Sequence, residues 1–240
     1  MIILQKQSKT RSDLVKVYIL HGWTYNLGKW DPFIKILTKN NLNPVLLKIP
    51  GLTEKIDKPW TIDDYADWLA KEVGEEQKIN IIGHSNGGRI AMNFAIKNPD
   101  KIRRLILIDS AGIYHNDITI TLKRTVFKII AKAGKRILDN PSAKKLLYKV
   151  IGEDDYERAD KTMKKTMISL IESDKNLTPD RIRNKTLIIW GEKDKITPLS
   201  DGKILEKLID NSKLLIVNSA RHSPQFTHPR ETASLILKEI

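Results

Sequence analysis

A serine with glycines two residues to either side, Gly83-His84-Ser85-Asn86-Gly87, sits between an apolar run, Ile79-Asn80-Ile81-Ile82, and Gly88-Arg89-Ile90-Ala91. The β-branched residues suit a buried strand. Ile90, Ala91, Phe94 and Ala95 recur at helical spacing. A strand that turns abruptly into a helix crowds its own backbone at the tip. Glycines at these two positions remove the clashing Cβ atoms and leave the hydroxyl projecting. The free N–H groups of the following helix then point at the place where an oxyanion would form. That chemistry is nucleophilic attack by Ser85 on a carbonyl; the plainer alternative is a glycine-rich turn carrying an ordinary serine. A serine at its free pKa is a poor nucleophile and needs a base within hydrogen-bond reach, and the base needs an acid to orient it. The chain offers five histidines, His21, His84, His115, His222 and His228. Asp109 and Asp194 each follow an apolar run, at 105–108 and 186–190.

The elements that must hold these groups follow from periodicity. Strands are expected at 14–20, 44–49, 105–108, 186–190 and 214–217, with a further edge strand at 2–4. Helices are expected at 30–37, at 61–73 behind a Thr61 cap, after Ser85 until Pro99 stops them, at 199–209 and at 229–238. Between 114 and 180 no strand is expected. Residues 118–138, 142–151 and 161–171 read as amphipathic helices, with Phe127, Leu147 and Ile168 among their apolar positions. Strands alternating with helices imply a mostly parallel sheet covered on both faces. The helical interruption falls between two strand–helix units, so it reads as a lid over the strand C-terminal edge, where open α/β sheets bind ligands.

Composition narrows the setting. The 240 residues suit one domain with an insertion. There is no cysteine, which excludes disulfides and thiolate metal sites. The apolar start, residues 1–4, is too short for a signal peptide, and no stretch reaches the roughly 20 apolar residues of a membrane span, so a cytoplasmic location is expected. The net charge is +13, but the lysines are scattered along helices, and a solvated basic surface is expected rather than nucleic-acid binding.

Four blocks in order, His21-Gly22-Trp23, the turn around Ser85, Trp190-Gly191-Glu192-Lys193-Asp194 and His222, make the chain resemble the α/β-hydrolase fold family over nearly its whole length. Residues 187–199 and 222–229 look most like its small lidded esterase and carbon–carbon-bond hydrolase branch. The resemblance implies a mostly parallel twisted sheet with helices on both faces. Residues 1–113 and 181–240 would form the core and 114–180 an inserted helical lid. It implies the order serine, acid, histidine: Ser85 as nucleophile, Asp194 as acid, His222 as base. Asp109 competes for the acid's place, because some members draw theirs from the preceding strand. His84 is expected to point away from the serine. The resemblance assigns the oxyanion hole to the backbone N–H groups of Trp23 and Asn86. Two positions depart from the branch: Arg221 stands where glycine is common, and Asn86 where methionine, leucine or glutamine is.

The implied activity is hydrolysis of carboxylic esters of small to medium acyl chains through an acyl-enzyme, with no metal or organic cofactor. The partner is a small-molecule ester substrate, and a homodimer stays open. The alternatives are hydrolysis of a carbon–carbon bond in a vinylogous diketone, for which Arg89 or Arg221 would hold a substrate carboxylate, and a non-catalytic ligand-binding protein on the same fold.

Overall fold

The computed structural model describes residues 14–24, 26–115 and 159–240. The expected strand at 2–4 and the expected helices at 118–138 and 142–151, with Phe127 and Leu147, lie outside these residues.

Among the described residues six strands form one sheet: β1 (Val15–Leu20), β2 (Leu42–Leu46), β3 (Ile79–His84), β4 (Ile102–Ile108), β5 (Lys185–Gly191) and β6 (Ser212–Val217). Their order is β2-β1-β3-β4-β5-β6, and every pairing is parallel. The helices are α1 (Asp31–Lys39), α2 (Ile62–Val73), α3 (Asn86–Lys97), α4 (Lys161–Ser173), α5 (Leu199–Leu208), the short α6 (Pro224–Thr227) and α7 (Pro229–Leu237). None among the described residues is long and apolar enough to cross a membrane.

Side chains alternate between two cores. Val17 and Ile19 of β1, Ile82 of β3, Ile106 and Ile108 of β4, and Leu187 and Ile189 of β5 meet Phe33 and Leu37 of α1 and Ala233 and Ile236 of α7. Their neighbours Tyr18, Leu20, Ile81, Leu105, Leu107, Ile188 and Trp190 meet residues of α2, α3, α4 and α5 on the other face. Strands apolar on both sides are what a parallel sheet between helix layers requires. A slip of one residue would exchange the two cores. With each buried aliphatic side chain worth roughly 1.5–3 kcal/mol, the register is tightly specified.

The elements expected within the described residues are present with shifted ends. The second strand starts at Leu42 and ends at Leu46 rather than running over 44–49. Pro44 lies inside it, which is tolerated because β2 is an edge strand among the described residues. Leu47 still donates its N–H to Ile19 O (3.0 Å) before the chain turns away. The third expected strand begins earlier, at Ile102, its start hidden in the sequence by Arg103 and Arg104. Trp30 belongs to a 3-10 turn, Leu27–Trp30, ahead of α1. Thr61 caps α2 as expected, within a capping box closed by Asp64.

Between β4 and β5 the described residues hold α4 and a short 3-10 turn, Pro179–Arg181, and no strand. Asp160 caps α4 by accepting from Met163 N (2.7 Å). Met163, Met167 and Leu170 form its buried stripe, while Ile168 is only half-buried. Thr166 Oγ1 accepts a hydrogen bond from Trp60 N (2.9 Å), tying α4 to the segment that leads into α2.

The direction of sheet growth reverses between β1 and β3, because β2 lies beyond β1 while β4, β5 and β6 extend past β3. A crevice opens at the carboxyl ends of strands where such a reversal falls. His21, Ser85, Asp109, Asp194 and His222 follow the ends of β1, β3, β4, β5 and β6, so one edge gathers them all. The turn from β3 to α3 presses against β1 there: a Cβ on Gly87 would stand 2.1 Å from Leu20 O, and one on Gly83 would stand 2.7 Å from Gly87 O. Gly87→Ala is therefore expected to displace backbone and cost more than about 2 kcal/mol in urea unfolding. A variant with wild-type stability would contradict this close approach.

Candidate active site

Ser85 occupies the tip of the β3–α3 turn in a conformation that L-residues rarely adopt, φ 52° and ψ −119°. Such strain persists only where surrounding bonds over-determine it. Here Ser85 N donates to Ile108 O (3.1 Å), and Ser85 O accepts from Gly88 N (3.0 Å) and Ala111 N (3.0 Å). Gly22 lies close above: a Cβ there would stand 3.0 Å from the Cβ of Ser85. Asn86 is the first residue of α3, so its N–H has no acceptor within the helix. Trp23, on the β1 side of the crevice, is half-buried and packs on the α2–α3 core.

The loop after β5 delivers Asp194 and the loop after β6 delivers His222. Their side chains meet: His222 Nδ1–H donates to Asp194 Oδ2 at 2.7 Å. Because a carboxylate oxygen can only accept, this bond holds the proton on Nδ1 and leaves Nε2 of the neutral ring as the basic atom. Asp194 is fixed by its own loop. Oδ1 accepts from Ile196 N (2.7 Å) and Thr197 N (3.2 Å), and Oδ2 accepts from Thr197 Oγ1 (2.7 Å). Thr197, which the sequence did not single out, is thus a direct support of the Asp194 carboxylate. The two loops are zipped together by Glu192 N to Val217 O (3.1 Å), Lys193 N to Ala220 O (2.8 Å) and Ser219 N to Glu192 Oε2 (2.7 Å). The Arg221 side chain is exposed, and its carbonyl lies where a Cβ on Gly191 would come within 2.4 Å.

Asp109 does different work. It is fully buried; Oδ1 accepts from Gly191 N (2.8 Å) and Oδ2 from Ser223 N (2.8 Å). One carboxylate therefore clamps the start of the acid loop to the far end of the histidine loop, where Ser223 takes a left-handed φ of 96°. Burial pushes this carboxyl up to about 7, with the nearby His222 opposing the rise and Asp194 adding to it.

The other histidines are engaged elsewhere. His21 donates from Nδ1 to Gly22 O (2.8 Å), and burial lowers it to about 4. His84 is buried and held well below the usual range, first by burial and then by the charge of His222. Its ring packs edgewise on Trp30 and lies 5.0 Å from the His222 ring, with Nε2 3.1 Å from Ser223 Oγ. His115 Nε2 lies 2.9 Å from Asp201 Oδ1. His228 Nε2 is 3.5 Å from Ser219 Oγ. Polar atoms of His84, Asp109 and His222 fall within 4.8 Å of one another. Both Asp109 oxygens already serve backbone N–H groups and His222 Nδ1 serves Asp194, so this trio reads as packing around the histidine loop.

Arg89, one of the residues that could have held a substrate carboxylate, is committed to the protein itself. It makes a bidentate pair with Asp174, Nε to Oδ1 at 2.6 Å and Nη2 to Oδ2 at 2.9 Å.

A parallel sheet between two helix layers, with a strained serine turn at its reversal point, defines an α/β hydrolase. The family described as Hydrolase_4, serine aminopeptidase S33, matches residues 14–226, and the chain belongs to it. The chain is 26% identical, over 96% of both chains, to a pimeloyl-[acyl-carrier protein] methyl ester esterase of Neisseria meningitidis serogroup C. It is 24% identical to a monoacylglycerol lipase of Bos taurus, covering 92% of this chain and 74% of the other. An esterase structure from Exiguobacterium antarcticum superposes with a TM-score of 0.74 at 16% identity, covering 94% and 91% of the two chains, a likeness of fold.

The Asp109 clamp has a consequence for pH. Its folded value, about 7, lies above the roughly 3.9 of an unfolded aspartate. The native state thus takes up a proton more readily, and this group's contribution to stability is fully present below pH ~4 and lost as pH rises to ~7. Asparagine cannot titrate. Urea unfolding at pH 4, 5.5 and 7 should show the wild type's stability advantage over Asp109→Asn shrinking as pH rises. An advantage that grows with pH would reverse the assignment.

Proposed function

We propose that the chain hydrolyses carboxylic esters of small to medium acyl chains, with Ser85 as nucleophile, His222 as general base and acid, and Asp194 as its orienting carboxylate. The observation that carries the reading is the 2.7 Å bond from His222 Nδ1 to Asp194, which leaves Nε2 basic on the same sheet edge as the strained serine. Ser85 Oγ attacks the ester carbonyl carbon as His222 Nε2 takes its proton. The carbonyl oxygen becomes an oxyanion, received by the backbone N–H groups of Asn86 and Trp23. When the tetrahedral intermediate collapses, the imidazolium protonates the departing alkoxide, and an acyl-enzyme and an alcohol result. Water attacks the acyl carbon with His222 again accepting the proton, and the acid leaves with Ser85 restored.

The names of the sequence relatives, a methyl ester esterase and a monoacylglycerol lipase, support esters over the amides implied by the family description. Residues 114–180 are proposed as the insertion that covers the acyl pocket; its support is that α4 is anchored on the main body through Met163, Met167 and Thr166. Carbon–carbon-bond hydrolysis loses one of its two arguments, because the Arg89 guanidinium is taken by Asp174.

Ser85→Ala should retain the fold and lose on the order of 10⁴-fold or more in turnover of p-nitrophenyl esters. Fluorophosphonate should label the wild type on Ser85, read by peptide mass spectrometry, and an aminoacyl p-nitroanilide should be cleaved far more slowly than the ester. Labelling elsewhere, or a variant with near-wild-type turnover, would remove Ser85 from the reaction.

The two aspartates rank differently. Asp194→Asn frees the ring to take the wrong tautomer and should cost ~10²–10⁴-fold in kcat, as in serine proteases. Asp109→Asn breaks one N–H contact of a loop clamp and should cost much less. The reverse order would move the acid to Asp109.

A further inference from the structure

The ion pair between Arg89 and Asp174 is unusual in two respects. Both side chains are buried, at 4% and 5% exposure, as is Asn86 at 1%. Each charge opposes the dipole of its own helix: Arg89 lies in the fourth position of α3, near its positive end, and Asp174 is the C-cap of α4, at its negative end. Neither helix gains from its charge, so the pair persists through the contact across the two helices. A buried pair of this kind is rarely worth more than apolar residues of the same volume, so stability does not account for the choice of residues.

The guanidinium's third corner supplies a reason. With Nε and Nη2 both on Asp174, the plane of the fork is fixed, and Nη1 donates to Asn86 Oδ1 at 2.6 Å. Asn86 is therefore gripped by its side chain at the first position of α3. Its amide Nδ2 is buried and has no partner among the described residues, so the Arg89 contact is what orients the group. Both ends of the segment between β4 and β5 converge here. Gly112, with φ 123°, packs so closely that a Cβ would stand 2.6 Å from Met92 and 2.8 Å from Leu177.

We propose that Arg89 is a positioning residue for acyl transfer: held bidentately by Asp174, it fixes Asn86 and thereby the aim of the N–H that receives the oxyanion. The inference rests on the reading of Ser85 as nucleophile. The return of the inserted segment onto the main body, at Asp174, and the geometry of the oxyanion site are then set by one guanidinium. Misplacing that N–H slows formation of the tetrahedral intermediate without altering substrate binding to the same degree.

The test separates positioning from stability. Asn86→Ala keeps the backbone N–H and the ion pair but removes the grip; Arg89→Lys removes the fork. Arg89→Met with Asp174→Leu replaces the pair by apolar volume. Each is assayed for kcat and KM on p-nitrophenyl butyrate, for the rate of Ser85 labelling by fluorophosphonate, and for Tm. Positioning predicts that all three lose ~10–100-fold in kcat and in labelling rate, with KM within about threefold, even where the double variant keeps a wild-type Tm. A folded double variant, or Asn86→Ala, with kcat and labelling within twofold of wild type overturns the proposal. Should the double variant not fold, Asn86→Ala and Arg89→Lys decide. Failure of the wild type to label at Ser85 defeats the nucleophile reading itself and this inference with it, and is distinguished by being seen before any variant is made.

Discussion

Everything at the strand C-terminal edge depends on how closely α3 leaves β3. The helix starts one residue after the serine, and its first turn lies against the end of β1, where Leu20 O and His21 O leave no room for a side chain on Gly87. That approach fixes Ser85 in the left-handed region and costs about 1–3 kcal/mol of backbone strain. The cost is offset locally, by bonds from Ser85 to the backbone of Ile108, Gly88 and Ala111. The same bonds join the serine turn to the end of β4 and so to Asp109. A strained residue tied on both sides cannot relax without pulling β4 out of register, which is why the turn holds its shape.

From β4 the constraint passes outward. Asp109 N donates to Ile189 O, and its carboxylate takes one N–H from β5 and one from the histidine loop. Two loops from adjacent strands are thus positioned by one buried group on a third. The result is a histidine held to its aspartate at 2.7 Å, although neither residue lies in regular structure. Trp30, Phe226 and His84 pack on one another with rings at steep angles, and the His84 ring lies 5.0 Å from that of His222.

The elements that could be read from the sequence were those with a clear period, among them the apolar strands β1, β3, β5 and β6 and the helices α2, α3, α4, α5 and α7. Their ends could not, because Pro44 on an edge strand and Arg103 at a sheet rim look like loop residues. The elbow glycines were legible since their role is steric and local. Thr197, Asp109's clamp and the Arg89–Asp174 pair were not. The Asp109 clamp and the Arg89–Asp174 pair depend on residues 82 to 114 positions apart being brought together by the fold, and nothing in their spacing signals that meeting. Thr197 reaches Asp194 from three residues away, through a loop shape that hydrophobic periodicity does not carry. Arg89 in particular looked like a cation free for a substrate, since nothing near it in the chain is acidic and its partner arrives from 85 residues away.

Three of the buried aspartates show how, at similar burial, neighbours decide what a carboxylate does. Asp174 faces a guanidinium and receives two charge-assisted bonds from it, so its charge is paired within the protein. Asp109 accepts from two backbone N–H groups, which together with the nearby His222 do not offset the loss of water, so its ionised form is disfavoured and its value rises to about 7. Asp194 accepts two backbone N–H groups, a threonine hydroxyl and the imidazole N–H, with one oxygen turned to the ring. Of the three, only Asp194 combines a supported charge with direct contact to a histidine whose other nitrogen is left basic. A positive charge forming on His222 would therefore be stabilised from the Asp194 side, while Asp109 holds the loop in place from beneath.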